Sequence, residues 1–311
     1  MRGCRTVHTL SRARWTVSAC YKCGVNPSHR FADLIPAIVA ATAFAVADVT
    51  TKVTLNAEAG PLTMALFRGL IGVPLLLAWL FVGTRPVPLM PAQRNLSLLV
   101  GAIFSANVFF LFLAFERMEV AVTVLVYFTY PLFTGFAAAA LGLERLGVAG
   151  AAAAMVAFAG LALIVGAQPA GIAVAGIAFG LLASLARVAI LLLTRARLTG
   201  ADARLISVWS MSAAALVFVA MTLVTGHWQP PTTALGWWAL IASCVAMMIA
   251  VVAIFISTAR IGPFRTALFM NLEPLLATAG SAAFLGETFT PLQALGGALM
   301  IAALVAFQLR R

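Results

Sequence analysis

The residues of this sequence that are best placed to do chemistry are charged side chains inside long apolar runs. Asp48 lies six residues before the end of the first run, and Arg68 lies seven residues into the second. On helices that rise roughly 1.5 Å per residue, these positions are about 9 Å and about 10 Å from the same end. The opposite charges are therefore expected to pair, and Lys52, one turn beyond Asp48, would share that carboxylate. The pair is either a static link between two helices or a gate and binding site for a carboxylate or phosphate group.

Glu273 lies still deeper, nine residues into the ninth run, or about 14 Å from its start. Pro274 follows it and removes a backbone donor, which exposes carbonyls that can bind a solute or an ion. A carboxyl group near the middle of a membrane is a natural proton carrier. Arg187 in the sixth run is long enough to reach it, so a structural Glu273–Arg187 pair is the alternative. Asn271, two residues before Glu273, is a further candidate for the same site.

Polar and aromatic residues of the third and fourth runs fall at a similar depth. Tyr127 and Tyr130 are one turn apart in the fourth run, and Asn107 lies in the third. Together they would form a cavity with hydrogen-bonding walls and aromatic faces, suited to an amphipathic organic solute. The alternative is that the aromatic rings serve packing alone.

Other kinds of chemistry have little support in the sequence. Cys20 and Cys23 have the spacing of a metal or redox motif, but no second pair accompanies them. The three histidines do not cluster with carboxylates, and no Gly-Lys-Ser/Thr phosphate loop is present. We therefore predict no catalytic residue, no metal site and no cofactor. A polytopic enzyme acting on a lipid stays open as an alternative, as does a channel.

The elements that must position these residues are membrane-spanning helices. The chain of 311 residues is 63% hydrophobic and only 9% charged, too few charges to cover the surface of a soluble protein, where about 25% is usual. Ten apolar runs without period-two alternation predict an all-α integral membrane protein with ten transmembrane helices. The predicted spans are Leu34–Thr54, Pro61–Val82, Leu96–Phe115, Val120–Leu141, Leu146–Gly166, Ile172–Leu193, Ala203–Thr225, Leu235–Thr258, Phe264–Leu285 and Pro291–Leu309.

The ten runs form two repeats of five with a constant offset of 143 residues. Pro131 and Glu144 fall on Pro274 and Glu287 at this offset, which is the mark of an internal repeat. Five spans per repeat is an odd number, so the second repeat is predicted to be inverted relative to the first. We assign residues 34–166 and 172–309 to the two repeats, and residues 1–33 to a basic tail that is expected to be disordered.

Glu144 and Glu287 look like a catalytic pair of carboxylates, but they belong to opposite ends of an inverted repeat. Each is instead expected to cap the N-terminal end of the helix that follows it, where negative charge is favoured.

The distribution of Lys and Arg predicts the orientation in the membrane. The connections on the side of the N-terminus hold most of the arginines, which places both termini in the cytoplasm. The net charge of +11 is explained by this bias, because the basic residues form no patch of the size that nucleic acid needs. We predict no nucleic-acid partner; the expected partners are the lipid bilayer and a small-molecule substrate.

These features together resemble the EamA-like branch of the drug/metabolite transporter superfamily. The resemblance covers about residues 31–311 and rests on the five-plus-five layout, on Lys52 closing the first helix and on Phe67-Arg68 early in the second. It also rests on the signatures from Pro131 to Glu144 and from Pro274 to Glu287. Family members often have Trp-Gly in the first helix, where this chain has Phe44-Ala45.

The resemblance implies transport of small metabolites, usually export, across the inner membrane. It also implies that spans five and ten are peripheral; whether a homodimer forms through them stays open. We predict a secondary transporter that exports amino acids or related small metabolites by alternating access with proton coupling or exchange. An uptake permease of the same fold is the nearest alternative.

Overall fold

The computed structural model describes residues 32–81, 85–118, 120–166, 173–286 and 290–309. The predicted basic tail, apart from its last two residues, and Glu287 lie outside these ranges. Within them the chain forms twelve α-helices and no strand, and ten spans are long and apolar enough to cross a membrane. The predicted fold class is therefore confirmed.

The twelve helices make up ten spans, whose ends lie within about five residues of the predicted positions. In chain order the helices are α1 Ile35–Asn56, α2 Pro61–Phe81, α3 Pro91–Phe115, α4 Val120–Tyr127, α5 Tyr130–Ala140, α6 Val148–Val165, α7 Val174–Arg197, α8 Ala203–Thr225, α9 Ala234–Ile261, α10 Pro263–Phe269, α11 Leu272–Leu285 and α12 Pro291–Leu309.

Two of the spans are broken helices. The fourth span consists of α4 and α5, and the ninth consists of α10 and α11. Pro131 is the second residue of α5, and Pro274 is the third residue of α11. Since proline has no N–H, it cannot continue the hydrogen-bond ladder of the helix before it. The two breaks are related by the 143-residue offset, so both repeats interrupt their fourth helix at the same place.

The packing of the helices follows the two-fold relation of the repeats. Helix α1 of the first repeat packs along α9 of the second, and α3 packs along α7. The offset of 143 residues relates α1 to α7 and α3 to α9, so each of these pairs corresponds to the other. Helices α2 and α8, which the offset equates, pack together, as do α6 and α12. The two repeats therefore interleave in one bundle, which is the arrangement expected of inverted repeats.

Two names for the ends of the bundle are used below. The near end is where α1 begins at Ile35 and α12 ends at Leu309, and the far end is where α1 ends at Asn56. Short connections between consecutive spans bring successive helix ends to alternate sides. Backbone hydrogen bonds from Gly60 to Gln229 and from Thr232 to Ala57 join two connections at the far end.

Small residues allow the helices to approach closely, as is usual in lipid. A Cβ placed on Gly101 of α3 would lie 2.0 Å from the backbone oxygen of Ser210 in α8. Because that neighbour is backbone, it cannot turn away as a flexible side chain would. Gly101 therefore sets the distance between α3 and α8.

We predict that Gly101→Ala lowers the thermal unfolding temperature of the detergent-solubilised protein, since overpacking costs roughly 1–3 kcal/mol. Gly147→Ala is the matched control, because a Cβ there meets nothing within 4 Å. Equal unfolding temperatures for the two variants would show that the α3–α8 contact is not tight.

Candidate functional site

Arg187 of α7 is the buried cation at the centre of the bundle. Its side chain is 6% exposed, and its guanidinium lies 5.1 Å from the ring centre of Phe44 and 5.8 Å from that of Tyr130. Cations are attracted to aromatic faces, and more strongly where water is excluded. Within the described part of the chain, neither Arg187 Nε nor the Tyr130 hydroxyl has a hydrogen-bond partner. Arg187 and Tyr130 also interact electrostatically with each other, so the site holds a buried cation beside a phenol hydroxyl.

Glu273 lies beside this cation, in the first turn of α11 directly after the helix break. It is half-buried and close enough to interact electrostatically with both Arg187 and Asp48. No nitrogen of Arg187 is within 4 Å of its carboxylate, so the two do not form a direct ion pair. The N-terminus of α11 favours a negative charge at this position. Glu273 is thus stabilised by a helix end and by a cation at longer range.

Asp48 lies on the face of α1 that points into the bundle. It is spaced four residues from Phe44 and three from Thr51, and such residues share one side of a helix. Phe44 is buried, whereas Asp48 is exposed and Thr51 and Leu55 line a cavity. The inward face of α1 therefore becomes accessible to solvent from Asp48 towards the far end.

The sequence analysis predicted that Arg68 of α2 pairs with Asp48. In the structure the two residues form no direct ion pair. Arg68 Nη2 donates hydrogen bonds to Thr51 Oγ1 at 2.8 Å and to Ser243 Oγ at 3.4 Å. No nitrogen of Arg68 is within 4 Å of the Asp48 carboxylate, although the two charges interact at longer range. The depths counted from residue numbers placed Arg68 within one helical turn of its actual level, since it contacts Thr51, three residues after Asp48. The hydroxyls of Thr51 and Ser243 accept the hydrogen bonds from Arg68. The depth of a residue along its helix does not predict this choice of partner.

The cavity at the far end has a volume of about 570 Å³ and is open to the outside. Phe109, Phe112 and Phe115 give it an aromatic wall, and Arg68 contributes a cation to its lining. Arg68 Nε is buried and has no hydrogen-bond partner among the described residues. The cavity is therefore shaped for a molecule with an apolar part and an anionic group.

The other predicted site residues divide into two groups. Tyr127 joins Tyr130 at the centre, with ring centres 5.5 Å apart. Asn271 is buried at the start of α11, and its Oδ1 has no partner in the described residues. Asn107 is close enough to interact with Tyr127, and its amide also fixes α3 to α7 by donating to the backbone oxygen of Ala183 at 2.6 Å. Lys52 is exposed one turn beyond Asp48.

A metal-binding cluster is not found in the described ranges, where no three His, Cys, Asp or Glu residues come together.

A family model for the EamA-like transporter family matches the chain twice, over residues 33–166 and 174–307. The chain belongs to the EamA-like transporter family. A solved crystal structure of another protein superposes on it with a TM-score of 0.76 at 18% identity, covering 90% of this chain and 98% of that one. This likeness shows a shared fold. No sequence among the curated proteins matches the chain significantly.

Three residues of this EamA-like transporter matter to the site but were not among the predicted site residues. Phe44 carries the cation–π contact with Arg187, and Thr51 and Ser243 hold Arg68. A signal for Phe44 and Thr51 was present, since both share the face of α1 with Asp48. Ser243 lies in α9, 175 residues from Arg68, and nothing in the local sequence connects the two.

Glu144 closes the near end of the transporter. Its Oε2 accepts a hydrogen bond from the backbone N–H of Phe264 at 2.9 Å, at the start of α10. The prediction that Glu144 caps the helix following it is wrong, because the capped helix belongs to the other repeat. Glu144 ends the loop after α5, and the packing of α10 against α5 brings the N-terminus of α10 within its reach.

A second contact crosses the same end of the transporter. Arg195 at the end of α7 donates a hydrogen bond to the backbone oxygen of Ala259 near the end of α9. The near end is therefore closed by polar contacts, whereas the far end is open at its cavity.

We predict that Glu144→Ala speeds amide hydrogen exchange at Phe264 by roughly 10- to 100-fold, because a hydrogen bond to a charged group is worth roughly 1.5–3 kcal/mol. Exchange measured by mass spectrometry on peptides covering α10 checks this. Glu116→Ala is the control, since Glu116 pairs with Arg117 at the far end. Unchanged exchange in the Glu144 variant would show that the carboxylate does not hold α10.

Proposed function

We propose that this chain is a proton-coupled secondary transporter of the cell inner membrane that exports amino acids or related small metabolites. In this proposal the near end, with both termini, faces the cytoplasm. The observation that carries it is the position of Glu273 at the break of the ninth span, beside Arg187. A membrane carboxyl group next to a broken helix and a cation can exchange a proton for a solute contact.

The far-end cavity supports the choice of substrate. An amino acid has a carboxylate that can accept a charge-assisted hydrogen bond from the Arg68 guanidinium. Its side chain would lie against Phe109 and Phe112, which line the same cavity. Hydrogen bonds from Arg68 to the Thr51 and Ser243 oxygens orient the guanidinium before a solute arrives. A pre-oriented cation loses less entropy on binding.

Alternating access follows from the different states of the two ends. The contact of Glu144 with Phe264 closes the near end, and the cavity opens the far end. We propose that this conformation releases solute outside and takes up a proton, which reaches Glu273 past the accessible Asp48. Protonation removes the charge that faces Arg187 and thereby favours the rearrangement that opens the near end. Loss of the Glu144 contact is part of that rearrangement.

We predict that Glu273→Gln abolishes solute accumulation driven by a pH gradient but leaves solute exchange intact, because Gln keeps the shape and loses the proton site. Purified protein in proteoliposomes is tested by counterflow with a labelled panel of amino acids and nucleobases. Glu58→Gln makes the same change at an exposed far-end position that does not line the cavity and should behave as wild type. Full gradient-driven accumulation in the Glu273 variant would make Glu273 a structural residue.

We also predict that Arg68→Gln raises the apparent KM for a transported carboxylate by roughly 10- to 100-fold, the effect of losing a charged hydrogen bond. Arg68→Lys keeps the charge and should recover part of the affinity. A solute that lacks the carboxylate should show no difference between the variants. Equal KM values for wild type and Arg68→Gln would place the solute elsewhere.

A further inference from the structure

A groove at the near end lies apart from the proposed solute path. It has a volume of about 400 Å³ and is lined by the end of α2, the start of α8 and the last turns of α9. We call it the near-end groove and define it by Trp79, Arg204, Ile206, Val252, Ile256 and Arg260. None of the residues proposed above for solute or proton binding lines it.

The wall formed by α9 changes in character along its length. Val252, Ile256 and Arg260 are spaced four residues apart and therefore share one helix face. Val252 is buried, Ile256 is half-buried and Arg260 is exposed. The face spans about 12 Å from Val252 to Arg260, at roughly 1.5 Å per residue. The groove is therefore apolar towards the membrane centre and cationic at the near end.

The charged residues that line the groove give its near end a net positive charge. Arg204 is paired with Asp202, whose carboxylate lies 2.8 Å from its Nη2. The hydrogen bonds from Arg204 hold the pKa of Asp202 below its usual value, so this pair stays neutral overall. Arg260 forms no ion pair with any residue in the described ranges. Its charge is available to a ligand.

The opposite wall borders the lipid. Trp79 is 44% exposed and lies two residues before the end of α2, and tryptophan prefers the boundary between hydrocarbon and headgroups. Leu75, four residues before Trp79 and therefore on the same helix face, is also exposed. An occupant of the groove must therefore match acyl chains on one side and a cation on the other.

We propose that the near-end groove binds an anionic phospholipid, with its phosphate on Arg260 and its acyl chains against Trp79 and the apolar face of α9. Basic pockets between transmembrane helices select such headgroups. A soluble anion would use Arg260 but would gain nothing from the apolar wall, whereas each buried CH₂ of a lipid contributes roughly 0.8 kcal/mol.

The test uses the full-length protein in detergent, where no charged membrane surface contributes. Phosphatidylglycerol and phosphatidylcholine with identical acyl chains are added, and bound lipid is counted by native mass spectrometry. We expect phosphatidylglycerol to be retained preferentially. Arg260→Gln should reduce that preference about fivefold, which corresponds to roughly 1 kcal/mol per basic residue, and Arg260→Lys should keep most of it.

Arg145→Gln is the matched control, because Arg145 is exposed at the same end but does not line the groove. It should leave the preference unchanged. Equal retention of the two lipids, or an equal loss in both Gln variants, would overturn the proposal. Displacement of the lipid by the same concentration of inorganic phosphate would also overturn it, since it would show that the acyl chains contribute nothing.

Discussion

The structure depends on one constraint: inside hydrocarbon, every backbone N–H and C=O must find its hydrogen bond within the protein. Eight of the ten described spans are single helices, one of which (α2) contains Pro74, and the other two spans depart from the requirement with a broken helix. Both departures lie where Pro131 and Pro274 cannot donate, and both are enclosed by neighbouring helices. Phe128 and Met270, which stand at the two breaks, are buried. Irregular backbone is thus confined to the centre of the bundle, where solutes and ions can use it.

The charge of Arg187 organises what surrounds these breaks. A cation at this depth is costly unless other groups compensate for it. Here the compensation comes from several directions: aromatic faces on α1 and α5, and the Glu273 carboxylate on α11 at longer range. Since no single partner holds Arg187 in a close ion pair, its surroundings can change without leaving an isolated charge. A charge that is compensated by several groups can meet different partners in different conformations.

The two ends of the bundle differ although the repeats are related. Interleaved packing gives both ends similar helix contacts, yet the near end has Glu144 bound to Phe264 and the far end has a large cavity. The side chains that make the difference are not duplicated: Arg68 corresponds to Met211 and Glu273 to Tyr130 at the repeat offset. A symmetric backbone with asymmetric polar residues can favour one open end at a time.

The sequence by itself determined the architecture, because hydrophobic run length and a 143-residue offset are local or linear properties. It also determined which charges lie in the membrane, and it marked Pro274 as the place where the ninth helix breaks. Only the tertiary structure decided the partners. Arg68 binds Thr51 and Ser243 rather than Asp48, and Glu144 caps α10 rather than the next helix. Depth along a helix can be counted from residue numbers, but the choice between two acceptors a few ångströms apart depends on helix rotation and on residues more than a hundred positions away.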